Sequence, residues 1–140
     1  MQFKEKGDLI FVRLFPGEDL LGSLKEILKK TRTKTAVIVS AIGQLKNFEL
    51  GYFKQKGDYC PQSFKKPFEL LSLSGNIIKD GKGYKFHLHA VLGGEDKKAI
   101  GGHLLKAQAE VTNEIVILKS SIKLKRRIEK DIGLEGLFIK

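Results

Sequence analysis

Tyr84-Lys-Phe-His-Leu-His-Ala-Val-Leu92 alternates apolar and polar side chains with a period of two, the spacing of an extended strand whose successive side chains point to opposite faces. Tyr84, Phe86, Leu88, Ala90 and Leu92 share one face, which reads as a core face; His87, His89 and Val91 share the other. A turn, Gly93-Gly-Glu-Asp-Lys-Lys98, leads into Ala99-Ile-Gly-Gly-His-Leu-Leu105. His103 follows Gly101 and Gly102, residues that let backbone approach a neighbouring strand or a ligand closely. Every histidine of the chain therefore lies in one short region, and His103 is placed to complete a cluster of three imidazoles.

Outward from this region, strand signals dominate. Leu9-Ile-Phe-Val-Arg-Leu14 is a β-branched and aromatic run after Gly7-Asp8, ended by Pro16-Gly17. Leu20, Leu21, Leu24, Ile27 and Leu28 recur at helical spacing behind Glu18 and Asp19, with lysines in the last turn, which predicts one amphipathic helix. Thr35–Ile42 is nearly continuously apolar, as expected of a central strand covered on both faces. Phe48–Phe53 is a further strand, and Lys54–Pro67 reads as a loop. Phe68–Ser74 alternates again, placing Glu69 on a face with two leucines, where a carboxylate needs a partner, an edge position or a raised pKa. Asp80-Gly-Lys-Gly83 is a hairpin turn, and Ala109–Leu118 is one strand or two. Ile122–Lys130 is the densest basic run, with Ile122, Leu124 and Ile128 as its buried anchors, and Gly133–Ile139 is a terminal strand.

At 140 residues and 41% hydrophobic, the chain holds one core and one domain, residues 1–140. No apolar run approaches a membrane span and the first residues are charged, so a cytoplasmic protein without membrane partners is expected. The single cysteine, Cys60, excludes an intrachain disulfide and a thiolate metal cluster. A net charge of +10 attracts polyanions, nucleic acid first. Lys123, Lys125, Arg126 and Arg127 are the residues that would follow a phosphate backbone; the alternative is a solvated charged face. No GxGxxG opens a helix and no GxxxxGK[ST] occurs, which removes the common nucleotide fingerprints.

Three imidazoles with a vacant fourth position are the arrangement of open zinc sites, and imidazole also suits other divalent transition metals. His87, His89 and His103 are thus the candidate ligands, and Glu69 and Glu114 are the first acid/base candidates if the site is catalytic. The serines lie outside any nucleophile-elbow motif, so a hydrolytic triad has no support.

Pro16-Gly-Glu-Asp19, Val39-Ser-Ala-Ile-Gly43, Phe68-Glu-Leu-Leu-Ser-Leu-Ser-Gly-Asn76, His87-Leu-His-Ala-Val-Leu92, Gly101-Gly-His-Leu104 and Thr112-Asn-Glu-Ile115 resemble, in that order, the PPC domain, also called PD1-like or DUF296. The resemblance implies an α+β domain with a strongly curved, mostly antiparallel sheet of about seven strands and flanking helices, assembled as a homotrimer. It implies a DNA-associated or regulatory binding protein. In plant relatives, however, an AT-hook with an Arg-Gly-Arg-Pro core reads DNA while the PPC domain serves oligomerisation, and that core does not occur in this sequence. The fold and the His-x-His…His order are also similar to acetolactate decarboxylase, a zinc enzyme. That similarity implies an alternative, a metal-dependent lyase or hydrolase acting on a small carbonyl or carboxylate compound bound at the metal; a trimeric structural adaptor is a third.

Overall fold

The computed structural model describes residues 1–81 and 83–139; Lys82, in the predicted turn, lies outside the described residues. Nine strands and one helix follow in the order β1 (Gln2–Lys6), β2 (Leu9–Leu14), α1 (Leu20–Lys30), β3 (Thr35–Gln55), β4 (Asp58–Phe64), β5 (Phe68–Asp80), β6 (Gly83–Gly93), β7 (Ala99–Ser120), β8 (Leu124–Glu129) and β9 (Leu134–Ile139). Seven strands form one antiparallel sheet in the order β1-β2-β7-β6-β5-β3-β4, and β3 also pairs with β7. That extra pairing closes the circuit β3-β5-β6-β7 into a barrel, which leaves edges only where β1 and β4 extend it. β8 and β9 form a separate two-stranded hairpin.

Closure needs long, bent strands. β3 runs for 21 residues and β7 for 22, and their pairing slips at four places, Ile38/Ser40, Gly43/Leu45, Lys46/Glu49 and Glu49/Leu50. Each slip is a bulge or irregularity of the kind that bends a strand and adds twist. The two segments expected as separate strands at Thr35–Ile42 and Phe48–Phe53 are therefore one element.

The inner face is apolar. Leu88, Ala90 and Leu92 of β6, Leu70, Leu73 and Ile77 of β5, and Ile115 and Ile117 of β7 are buried there with Leu20, Leu24, Ile27 and Leu28 of α1. Each such side chain contributes about 1.5–3 kcal/mol by leaving water. Asp19 caps α1, its carboxylate accepting from the Gly22 amide, and Thr31 ends it with its hydroxyl donating to the Ile27 carbonyl at 3.0 Å. Only this one helix is present among the described residues, so the expected flanking helices reduce to one; the barrel buries its interior largely with its own strands.

Three further expectations change. The segment read as a loop after Lys54 is a hairpin: Gly57, at φ +80°, turns the chain into β4, whose Phe64 stacks on Phe48 at 4.9 Å. Pro61 is tolerated there because β4 is an edge strand. Thr35–Ile42 is covered on one face only, for Val37, Val39 and Ile42 are exposed on the outer surface. Ile122, which precedes β8, and Ile128 are also exposed, because β8 pairs with β9 alone and the hairpin touches the main sheet through polar side chains such as Arg126 and Glu135.

Candidate metal centre

His87 and His89 stand two residues apart on β6 and so share its outer face. His103 lies directly opposite His89 in the antiparallel pairing of β6 with β7. One donor atom from each ring lies within 4.8 Å of the others, and the centroids are 5.2 to 5.4 Å apart. Nε2 of His87 and Nε2 of His89 are separated by 3.2 Å. Bonds of 2.0–2.1 Å at a tetrahedral angle put two nitrogens on one zinc ion about 3.3 Å apart, so this pair already has the edge length of a shared ion. The donor set fits the ion.

Two of the imidazoles are biased toward the uncharged form that binds metal. Burial, then the neighbouring imidazoles and Arg126, pushes His103 down to about 4; burial, then Arg126 and His89, lowers His87. Gly75 makes the arrangement possible: it sits opposite Leu88 at φ +139°, and a Cβ there would meet the His87 carbonyl oxygen at 2.0 Å.

The rings open into a cavity of about 770 Å³. Its walls are Tyr52 and Phe53 of β3, Tyr59 of β4, Phe86 of β6, Leu105 of β7, and Arg126, Leu134 and Glu135 of the β8–β9 hairpin. Tyr59 lies across Gly51, where any side chain would displace its phenol. Arg126 Nη2 donates to Asn76 Oδ1 at 2.7 Å and Nη1 to the Glu135 carbonyl at 3.2 Å. Glu135 itself is paired with Lys85, which also holds Asp80 at 3.0 Å.

The structure brings the three histidines together and puts the two carboxylate candidates elsewhere. A bulge between Leu70 and Ser72 turns Glu69 outward, where it accepts from Gln44 Nε2 at 2.8 Å. Glu114 lies opposite Arg13 on the outer face of β7, beside Phe11 and Ile42. The basic run divides in two, because alternation along β8 exposes Lys125 and Arg127 and turns Arg126 toward the histidines. Lys123 and Lys125 instead border a second groove with Arg32, Lys34, Lys79 and Lys119. Cys60 is half-buried on β4, its Sγ 3.6 Å from Asp58 Oδ1.

Sequence reasoning did not find the aromatic wall or the six-cation groove. Tyr59 alternates with Pro61 and Ser63 on a segment whose glycine turn was the available sign of a hairpin. Of the groove only Lys123 and Lys125 were marked, by the basic run, since its other residues come from separate segments.

A closed antiparallel barrel with a cross-strand trio of histidines at the mouth of an aromatic pocket defines a small β-domain with a candidate ligand or metal site. The Plants and Prokaryotes Conserved (PCC) domain matches residues 1–121, and the chain belongs to that family. A plant- and prokaryote-conserved (PPC) protein of Pyrococcus horikoshii is 32% identical with a TM-score of 0.81, over 96% of this chain and 94% of that one. A metal-containing protein of Archaeoglobus fulgidus is 31% identical with a TM-score of 0.83, over 99% of each. A Bacteroides thetaiotaomicron structure named a "putative DNA binding protein" is 26% identical with a TM-score of 0.90, over 98% of this chain and 96% of that one. Bifunctional protein GlmU of a Synechococcus strain is 30% identical over 110 residues, 79% of this chain; the chain spans 16% of the length of that relative. Among the described residues no helix is long and apolar enough to cross a membrane.

Proposed function

We propose that this PCC-family chain is a homotrimeric metal-binding protein in which His87, His89 and His103 hold one divalent transition ion, zinc first among the alternatives, with a coordination position open to the pocket. The observation that carries this reading is the convergence of three imidazoles, with donor atoms within 4.8 Å of one another, at a cavity mouth. Structural zinc sites close with four protein ligands; three histidines, with no fourth ligand among the described residues, compose an open one. When bound, the ion supplies a Lewis-acid position. The protein residues around it orient a small ligand and exclude water: the aromatic wall shields one side, and Arg126 offers a fixed positive charge.

Metal content per chain, measured by elemental mass spectrometry on tag-free protein, tests this. Near-stoichiometric metal in the wild type, lost in His87→Ala and His103→Ala, is the expected result. Wild-type protein without metal after incubation with zinc returns the histidines to a structural role.

Support for the trimer comes from the outer face, where Leu9, Leu118 and Val37 stand in one cross-strand row with Phe11 and Val116 in the next. An exposed apolar face of this kind marks an interface.

A second reading, association with DNA, is favoured by the groove of Arg32, Lys34, Lys79, Lys119, Lys123 and Lys125, in which Asp8 is the one acidic residue among the described lining and Lys119 is paired with Glu5. Six cations along one groove suit a phosphate backbone, and affinity would fall steeply with salt. Affinity for duplex DNA that is insensitive to salt refutes that reading.

A further inference from the structure

Arg126 is a half-buried cation without an acidic partner among the described residues. Its two hydrogen-bond partners are a neutral amide oxygen and a backbone carbonyl, and the nearby Glu135 carboxylate is taken by Lys85. Its Nε is buried and has no acceptor among the described residues. Buried charges and buried donors are normally satisfied, so each exception asks for an explanation. Asn76 lies directly opposite His87 across β5 and β6, which fixes the guanidinium beside the imidazoles. A divalent ion on three neutral ligands next to this guanidinium leaves net positive charge that the Glu135 carboxylate, already paired with Lys85, offsets only in part. Around that charge the walls are aromatic and aliphatic.

We infer that the pocket takes a small organic monocarboxylate with an apolar body, its carboxylate held between the histidine-bound ion and Arg126 and its hydrocarbon part against Tyr52, Phe53, Phe86 and Leu105. This rests on the metal reading above. A planar guanidinium fork matches a carboxylate in two hydrogen bonds, and the pocket volume lies in the range of small-molecule sites. Nucleic acid is a poor occupant here. The exposed lysines face a different groove, and the apolar walls give a phosphodiester nothing to bond. Arg126 thereby becomes the residue that selects for the anion. It stands on the β8–β9 hairpin, outside the residues that the family match covers.

Cobalt-loaded protein provides the test, because its visible bands report directly on the coordination sphere. Phenylacetate, phenylacetamide and inorganic phosphate are titrated against wild type, Arg126→Met and Arg126→Lys, with cobalt per chain measured in every sample. Saturable band changes with phenylacetate and none with the amide are expected. Loss of the charge-assisted pair in Arg126→Met weakens phenylacetate about 10- to 100-fold at unchanged cobalt content, and Arg126→Lys restores part of the loss. Should the variants fail to fold, the acid-against-amide comparison on wild type carries the test alone. Protein that takes up no cobalt overturns the metal reading and this one together. Cobalt-loaded protein that ignores phenylacetate, binds acid and amide alike, prefers phosphate, or binds unchanged in Arg126→Met overturns this inference and leaves the metal reading standing.

Discussion

Gly75→Ala is the substitution that most directly tests how the barrel presents its histidines. The φ of Gly75 is +139°, and a Cβ at this position meets the His87 carbonyl oxygen at 2.0 Å and the Leu88 Cα at 2.9 Å. Contacts below 3.0 Å are essentially never seen for a real Cβ, so β5 and β6 must part by about 1 Å at the point where His87 is held. A φ in this glycine-only region costs an alanine at least about 1–2 kcal/mol. Parting the strands weakens one or two ladder hydrogen bonds, each worth about 1 kcal/mol net. The sum is about 2–4 kcal/mol, which lowers Tm by roughly 10 °C in a domain of this size. Gly7→Ala is the control for a positive φ without a steric contact, since Gly7 has φ +59° and a Cβ there would meet nothing within 4 Å. Denaturant unfolding of wild type and both variants at one protein concentration, with chelator present, supplies the numbers. Metal uptake should fall in Gly75→Ala and stay normal in Gly7→Ala. If Gly75→Ala costs no more than Gly7→Ala and binds metal normally, the close approach of β5 to β6 is not what positions His87.

Metal-free protein should lose stability on acidification. His103 in the folded chain takes its proton only near pH 4, whereas the unfolded chain takes it near the ordinary value of 6.5, so stability falls between those limits as pH drops. The loss is at most about 3 kcal/mol, less after solvent screening at a half-buried ring, and His103→Asn should flatten it in chelator-treated denaturant titrations. Phe11→Asp places a charge on the exposed apolar rows without touching the core, so light scattering should report a dissociated but folded chain; an intact trimer would relocate the interface. Reversing Lys79 and Lys123 to Glu should weaken duplex binding and lower its salt slope by about two, whereas Arg127→Glu, outside that groove, should change it less.

The β6 strand was legible because one-face burial imposes a period of two, and the observed buried positions Leu88, Ala90 and Leu92 follow it. The same rule placed the imidazoles of His87 and His89 on one side. His103 was legible at the level of the hairpin: a turn centred on Asp96 sets His89 against His103. Alternation failed at Phe68–Ser74 for a local reason, since one extra residue at the Leu70/Ser72 bulge brings both Leu70 and Leu73 inward and leaves Glu69 out. At Thr35–Ile42 the limit is more general. A run of apolar residues records that both faces of a strand leave water, but it does not record what covers each face. In β3 one cover is the barrel interior; the other face, with Val37, Val39 and Ile42, is bare in the single chain. Arg126 shows the complementary limit, because charge density along Ile122–Lys130 is a property of composition, while its division between groove and pocket is a property of alternation on β8. One residue's step along a strand separates a cation that faces solvent from one that faces the histidines. A count of lysines and arginines therefore does not record how many of them share one open groove and which one faces the histidines.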